Sequence, residues 1–207
     1  MHRYFLRHQR NLPTGFGERA YSKYYTLVFM NFHFSIKNIS IATTQDAAAI
    51  TTLLNSAYRG ESSKQGWTTE AHLIGGDVRT NENGVVEVMQ KPGSVMLKYT
   101  SDNQLTGCVN LQQHDKKIYL GMLSVSPQLQ GAGIGKQLLK AAEEYAHQTG
   151  CTAVYMTVIS VRNELINWYQ RYGYNDTGER KPFIEDGVTG NHLQPLEFMV
   201  MEKLLTP

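Results

Sequence analysis

The most informative stretch of this 207-residue sequence reads Leu123-Ser124-Val125-Ser126-Pro127-Gln128-Leu129-Gln130-Gly131-Ala132-Gly133-Ile134-Gly135-Lys136. It combines an apolar strand pattern, a proline at the strand exit and a glycine-rich turn that opens an amphipathic helix pattern. Backbone N–H groups at a helix start have no intrahelical acceptors, and glycines let an anion approach them closely. The stretch therefore predicts an anion site, and a pyrophosphate is the ligand that suits it.

The spacing of the glycines excludes two common nucleotide loops. A Walker loop requires a glycine five residues before Gly135, where Gln130 stands, and a Ser or Thr where Gln137 stands. A dinucleotide fingerprint that begins at Gly131 requires a third glycine where Lys136 stands. No acidic ribose partner follows on a second parallel strand either, so both interpretations fail.

The spacing that remains is Gln130-x-x-Gly133-x-Gly135. It resembles the acetyl-CoA loop of the GNAT family of N-acetyltransferases, which reads Gln or Arg, two residues, Gly, one residue, then Gly or Ala. A second stretch resembles the family's downstream helix, which ends in Tyr, three residues, Gly and Phe or Tyr; here it reads Leu165-Ile166-Asn167-Trp168-Tyr169-Gln170-Arg171-Tyr172-Gly173-Tyr174. The resemblance extends over residues 36–204, and two matches in the family's order are more specific than a glycine turn alone.

The resemblance implies an acetyl-CoA-dependent N-acetyltransferase in which the amine attacks directly in a ternary complex. Tyr169 corresponds to the family's tyrosine near the coenzyme sulfur, and its phenol would protonate the leaving thiolate. A strand edge would pair with the pantetheine arm, and a glycine turn would hold the pyrophosphate. The implied coenzyme-binding residues are Leu123, Ser124, Val125, Gln130, Gly131, Ala132, Gly133, Ile134, Gly135, Lys136, Arg162 and Asn163.

Two departures from the family pattern leave roles open. Arg162 fills a slot where many members carry Asn, so it faces a phosphate or an acidic substrate, or is a solvated arginine at a helix start. Residues 118–125 contain no acid, although many members place a glutamate base there. Glu70, His114 and Glu164 are therefore the candidate general bases, and a water relay would require none of them.

Strand and helix patterns alternate from Phe34 onward. We expect a first strand over residues 34–41, a helix from Thr43 or Thr44 to Tyr58, a polar loop over 60–66 and a short helix from Trp67 that stops at Gly75. The later patterns predict strands over 95–99, 105–111, 118–125, 152–159 and 196–204, and helices over 133–147 and 165–172. This order predicts an α/β (α+β) domain with a mixed, largely antiparallel central sheet flanked by helices.

The first 33 residues differ in composition from the rest, so we predict an N-terminal extension over 1–33 and a GNAT-like domain over 34–207. The extension holds one acid, Glu18, and several arginines interleaved with aromatic residues. It is interpreted as a mobile tail, an arm packed on the domain, or a start assigned too early because Met30 precedes the first strand. Pro13 and the following glycines argue against a transit peptide.

Composition excludes several function classes. A net charge of +2 argues against a dedicated nucleic-acid binder. No apolar run approaches the roughly 18 residues that a membrane-spanning helix requires. Two separated cysteines and seven scattered histidines argue against a metal centre. We expect a cytoplasmic protein without bound metal, nucleic acid or membrane, and a homodimer is left open.

The acceptor is predicted to be the primary amine of a small molecule. It would enter between residues 58–76 and the C-terminal strands, where Arg59, Glu61, Trp67 and Glu70 could select it. A protein or peptide amine is the first alternative and would require an open groove. A non-catalytic acyl-CoA-binding regulator is the second, because the strand carboxylate is missing.

Overall fold

The computed structural model describes residues 32–184 and 190–206. Its strands are β1 (Ile39–Ile41), β2 (Ile74–Gly75), β3 (Ser94–Ser101), β4 (Gln104–His114), β5 (Lys117–Val125), β6 (Ala153–Ile159), β7 (Asn175–Pro182), β8 (Asn191–His192) and β9 (Glu197–Leu204). Its helices are α1 (Ala47–Tyr58), α2 (Gly60–Ser63), α3 (Glu82–Gln90), α4 (Ile134–Gln148) and α5 (Asn163–Gln170), and short 3-10 turns occupy Thr44–Asp46 and Pro127–Leu129.

Within the described residues, seven strands form one sheet in the order β1-β3-β4-β5-β6-β9-β7, and β2 pairs with β8 separately. Every neighbouring pair in the large sheet is antiparallel except β5 and β6, which are parallel. The predicted class, a largely antiparallel sheet flanked by helices, is confirmed.

Helices cover both faces of the sheet. The face of β3 and β4 that carries Met96 and Cys108 packs against buried apolar residues of α1 and Val85 of α3. Gly107 points to the opposite face, where a Cβ atom would lie 2.9 Å from Ile134 of α4. Because successive side chains of a strand alternate between faces, α4 and the glycine turn before it lie on the side opposite α1.

The sheet splits between β5 and β6. These strands pair only over residues 117–119 and 153–155, whereas β6 stays paired with β9 along its full length. The register of β5 on β4 shifts because one extra residue is inserted opposite Val109, and Met122 there has a φ of 52°. This bulge lies where the pairing with β6 has already ended, so the carboxyl halves of β5 and β6 bound an opening.

Two predicted elements near the start of the domain were wrong. The strand predicted over residues 34–41 is reduced to Ile39–Ile41, because the Ile39 N–H donates to the carbonyl of Ile36 and closes a turn. The Ser35 N–H instead donates to the Glu144 carboxylate of α4. The helix predicted from Trp67 to Gly75 is a series of turns that ends in β2.

Other differences concern elements with weak sequence signals. The predicted polar loop over 60–66 begins with the short helix α2. Helix α3 and strand β7 were not predicted from the sequence. Helix α3 begins where the side chain of Asn81 accepts the N–H of Gly84. The strands predicted over residues 95–99, 105–111, 118–125, 152–159 and 196–204 are confirmed, as are the helices that begin near residues 44, 133 and 165.

Most of the predicted N-terminal extension lies outside the described residues, so its boundary at residue 33 stays a prediction. Its last two residues are described, and they contact α4. The Phe32 ring lies 4.8 Å from the Tyr145 ring, centroid to centroid, and His33 exchanges backbone hydrogen bonds with the side chain of Gln148.

Candidate active site

Two cavities meet at the split in the sheet. The smaller cavity, of about 280 Å³, lies between residues 120–123 of β5 and 156–159 of β6 and is also lined by Tyr58, Glu70 and Arg79. The larger cavity, of about 540 Å³, lies between the glycine turn and α5 and is also lined by Trp67 and Thr68. Four residues line both cavities: Tyr58, Leu123, Leu165 and Tyr169.

The glycine turn forms one wall of the larger cavity. Gly133 caps α4 with a φ of 82°, a left-handed conformation that other residues adopt at a cost, and no atom lies within 4 Å of a Cβ built there. The wall includes six of the predicted turn residues: Gln130, Gly131, Gly133, Ile134, Gly135 and Lys136. Ala132 is not on the lining, and its N–H donates to the carbonyl of Leu129.

The free edge of β5 forms a second wall. The carbonyl of Leu123 accepts a hydrogen bond from the Tyr58 Oη, and the carbonyl of Val125 accepts one from the Gln130 Nε2. Ser124 between them is buried and pairs with Cys108 of β4. Because the N–H and C=O of a strand residue lie on the same side, the Val125 N–H also faces away from β4, on the side of the larger cavity. The strand edge therefore offers the Val125 N–H to a ligand, whereas the carbonyls of Leu123 and Val125 each already accept one side-chain hydrogen bond.

Tyr169 lies at the junction of the two cavities. Its side chain is buried, and its ring packs edge-on against Trp168 and Tyr174, with centroids 4.9 and 6.0 Å away. Burial raises the pKa of the Tyr169 phenol far above its usual value. The phenol is therefore protonated at neutral pH, which is the form that a proton donor requires.

Arg162 is directed at Trp67 and Thr68, which follow α2, and not at the glycine turn. It is only 1% exposed, so the solvated position considered for it is wrong. Its guanidinium donates to the carbonyls of Trp67 and Thr68 and forms an ion pair with Glu164. Arg162 lines the smaller cavity, and Asn163 is exposed and lies on neither lining, so a coenzyme contact for either residue stays a prediction.

The three candidate bases occupy different places. Glu70 is buried on the smaller cavity, and its carboxylate is bonded to Arg59 at 2.7 Å and Arg79 at 3.0 Å. Glu164 lines the larger cavity; partial burial raises its pKa, but the hydrogen bond and charge of Arg162 outweigh this and lower it overall. His114 lies at the end of β4 on neither lining, so the geometry favours Glu70 among the three for contact with an acceptor.

The sequence reading missed two residues at the site. Tyr58 was predicted only as the end of a helix and the start of the region where the acceptor enters, yet it lines both cavities. Arg79 lies with its guanidinium carbon 4.1 Å from the centre of the Tyr58 ring. Of the predicted acceptor-selecting residues, Glu70 lines the smaller cavity and Trp67 the larger one, whereas Arg59 is buried behind Glu70 and Glu61 is exposed on α2.

The described part of the chain has neither a cluster of metal-ligand side chains nor a helix of membrane-spanning character. In residues 32–184 and 190–206, no group of three or more His, Cys, Asp or Glu side chains is arranged to hold a metal ion. No helix of the same residues has the length and apolar character needed to cross a membrane.

Comparison with known proteins decides the family. A family model described as an acetyltransferase (GNAT) domain matches residues 77–194, which is more than half of the chain. The chain belongs to the GNAT acetyltransferase family. The matched residues run from α3 to β8 and so include the glycine turn, the split between β5 and β6, and Tyr169. The predicted family is thereby confirmed.

Individual GNAT relatives agree with this assignment. The acetyltransferase Atu2258 of Agrobacterium fabrum is 32% identical over 83 residues, which cover 39% of this chain and 58% of that protein. The match thus spans little more than half the length of that relative. The N-acetyltransferase YhfO of Bacillus subtilis is 32% identical over 146 residues, which cover 68% of this chain and 92% of that one.

A solved GNAT-fold structure carries the donor. The structure of yncA from Salmonella typhimurium with its cofactor acetyl-CoA has a TM-score of 0.60 and 22% identity, and covers 82% of this chain and 94% of that one. At this identity the likeness concerns the fold alone. The predicted acetyl-CoA-dependent acetyltransferase class agrees with these comparisons.

Proposed function

We propose that the protein is an N-acetyltransferase that moves an acetyl group from acetyl-CoA to the primary amine of a small molecule. The observation that carries this proposal is the free edge of β5 at Leu123 and Val125, which lies where two separate cavities meet beside Tyr169. A donor and an acceptor can each occupy one cavity and meet at this edge.

The larger cavity suits acetyl-CoA. The glycine turn offers helix-start N–H groups to a pyrophosphate, and the position of a Cβ at Gly133 is open space that a phosphate could fill. Pantetheine carries amide groups that can pair with the strand edge at Leu123 and Val125. A backbone N–H directed at the thioester oxygen would stabilise the charge that develops there during the reaction.

The proposed transfer is a single displacement. The amine nitrogen attacks the thioester carbon, the C–N bond forms, and the C–S bond breaks after a tetrahedral intermediate. Tyr169 donates its phenolic proton to the leaving sulfur. The attacking nitrogen loses its extra proton to water in the tetrahedral intermediate, because the carboxylate of Glu70 is already bonded to two guanidinium groups. A proton returns through water to the Tyr169 phenolate.

The smaller cavity supports a small acceptor. Its volume of about 280 Å³ lies near the lower end of the range for small-molecule pockets, and its wall combines polar side chains, among them Glu70, Arg79 and Arg162, with apolar side chains of β5 and β6. A protein amine would need a groove in which a peptide could lie extended.

Calorimetry with acetyl-CoA and an assay of coenzyme A release with a panel of amines test the proposal. We expect saturable binding of acetyl-CoA and turnover with at least one small amine. Turnover with peptides alone would replace the small-molecule acceptor by a protein amine, and binding without any turnover would favour the non-catalytic regulator. A cytoplasmic location and a homodimer stay predictions, for fractionation and light scattering to test.

A further inference from the structure

We propose that Gln130 and Arg162 are positioning residues that hold Trp67 as a wall of the coenzyme site, and that Trp67 contacts the pantetheine part of bound coenzyme. The inference rests on the proposed function, because it takes the larger cavity as the coenzyme site. It gives two residues, first predicted as ligand contacts, a different role.

Four hydrogen bonds fix the segment formed by Trp67 and Thr68. The Gln130 Oε1 accepts the Trp67 N–H at 2.8 Å, and the Gln130 Nε2 donates to the Thr68 Oγ1 at 2.7 Å. On the other side, Arg162 donates to the carbonyl of Trp67 at 3.2 Å and to that of Thr68 at 3.4 Å. The two side chains thus occupy most of the polar groups of this two-residue segment.

The surroundings make this arrangement costly to change. A Cβ at Gly66 would lie 2.6 Å from the Gln130 Oε1, so the close approach of the amide to the segment requires glycine there. Arg162 is almost fully buried, and a buried guanidinium that loses its acceptors pays a desolvation penalty without compensation. The position of Trp67 is therefore set by the glycine turn and by the residue that caps α5.

The Trp67 indole is the part of the segment that is available to a ligand. It is 41% exposed, and its ring centre lies 6.0 Å from that of Trp168, which lines the larger cavity from α5. A large exposed aromatic ring at the wall of a cavity gains apolar burial when a ligand covers it. The part of the coenzyme that would cover Trp67 is the pantetheine. The Gln130 amide that fixes Trp67 also donates to the carbonyl of Val125, at the strand edge where the pantetheine is proposed to bind.

The two tryptophans are the only ones in the chain, so fluorescence can report on Trp67 directly. In the Trp168→Phe variant, Trp67 is the sole tryptophan, and excitation beyond the tyrosine absorption band leaves it as the residue observed. We expect saturating coenzyme A to shield it from acrylamide quenching. Adenosine 3′,5′-bisphosphate, which lacks the pantetheine, should leave the quenching constant of Trp67 unchanged.

Variants of the anchoring residues test the positioning role. Gln130→Met and Thr68→Val should raise the dissociation constant for coenzyme A about tenfold and abolish the shielding of Trp67, because each removes hydrogen bonds while nearly keeping the side-chain volume. Gln128→Met is the matched control, since Gln128 is exposed two residues away and does not line the larger cavity. It should retain both the affinity and the shielding.

The outcomes separate this inference from the proposed function. Failure of the wild-type protein to bind coenzyme A in calorimetry would overturn the proposed function and the inference with it. Normal coenzyme A affinity in Gln130→Met and Thr68→Val would overturn the inference alone, as would equal quenching of Trp67 with and without coenzyme A in the Trp168→Phe variant, whose anchoring residues are intact. If Gln130→Met does not fold, as judged by circular dichroism, the Thr68→Val variant decides the question.

Discussion

The Oη of Tyr58 donates a hydrogen bond of 2.5 Å to the carbonyl oxygen of Leu123 and so ties the end of α1 to the bulged edge of β5. Tyr58 is buried, and Arg79 stacks over its ring. The hydrogen bond fixes the orientation of the Leu123 peptide, which lies at the junction of the two cavities. Helix α1 therefore helps to set the strand edge on which the proposed transfer depends.

Removing the Tyr58 hydroxyl tests this link. We expect Tyr58→Phe to lower kcat about tenfold with little change in acetyl-CoA affinity, because the ring remains and only the hydrogen bond is lost. The measurement is kcat together with the coenzyme dissociation constant. Tyr155→Phe is a matched control on the sheet, because Tyr155 lines neither cavity. Unchanged kcat in Tyr58→Phe would show that the strand edge holds its geometry alone.

Tyr169→Phe tests the proton donor. The turnover number should fall about a hundredfold, at the lower end of the effect of a general acid, because a thiolate is a tolerable leaving group. Burial raises the pKa of the Tyr169 phenol in the folded protein, so the wild-type enzyme should keep this proton donor throughout the alkaline range where the fold is stable. Turnover and melting temperature are measured on the same variant, and a stable variant with wild-type turnover would remove Tyr169 from the mechanism.

A pair of glycine variants separates backbone strain from ligand binding. Gly133 and Gly150 both have a left-handed backbone, with φ of 82° and 68°, and a Cβ at either would meet no atom within 4 Å. Gly133→Glu and Gly150→Glu should each lose about 1–2 kcal/mol of stability. Only Gly133→Glu should abolish acetyl-CoA binding, because its carboxylate would repel a pyrophosphate at the start of α4. Normal calorimetric affinity in Gly133→Glu would refute the glycine-turn site.

Asp46 should make stability depend on pH. Partial burial acts to raise its pKa, but hydrogen bonds from Lys98 and from the Thr43 N–H lower it overall. A carboxyl group whose pKa is lower in the folded than in the unfolded protein stabilises the fold fully at pH values above its unfolded-state pKa, which is near 4. This contribution is lost as the pH falls through the folded-state pKa. Asp46→Asn should therefore be less stable by on the order of 1 kcal/mol at pH 7, with a difference that shrinks below pH 4. Urea unfolding of the wild type and the variant at pH 7 and below pH 4 measures this difference in the free energy of unfolding. A difference that does not change with pH would argue against the ion pair of Asp46 with Lys98.

Deletion of residues 1–31 should leave acetyl-CoA turnover largely unchanged. All described residues of the two cavities lie at Tyr58 or beyond, and the cut keeps the contacts of Phe32 and His33 with α4. The steady-state constants of the deletion variant are compared with those of the full chain. A folded deletion variant without turnover would show that the N-terminal residues belong to the active site.

The sequence by itself determined the elements whose signals are local. The apolar period of α4, the glycines before it and the aromatic end of α5 predict the glycine turn and the position of Tyr169, because each pattern depends on residues within a few positions. The strands around them have buried apolar runs or an alternating pattern. By contrast, β7 is exposed along its whole length and shows no apolar pattern, and α3 is short and holds Gly84 in its first turn, so neither gave a clear signal.

Only the tertiary structure decided which distant residues meet. The Gln130 side chain contacts Trp67, 63 positions away, and Arg162 contacts the same residue from 95 positions away. The Arg162 contacts engage the carbonyls of Trp67 and Thr68, which a helix beginning at Trp67 would use for its first hydrogen bonds. They support the positioning role that we propose for Arg162, whose contact with the coenzyme stays a prediction. Which residues meet depends on how α1 and α5 pack on the sheet beside β5. This packing is a property of the whole fold and leaves no periodic pattern in the sequence.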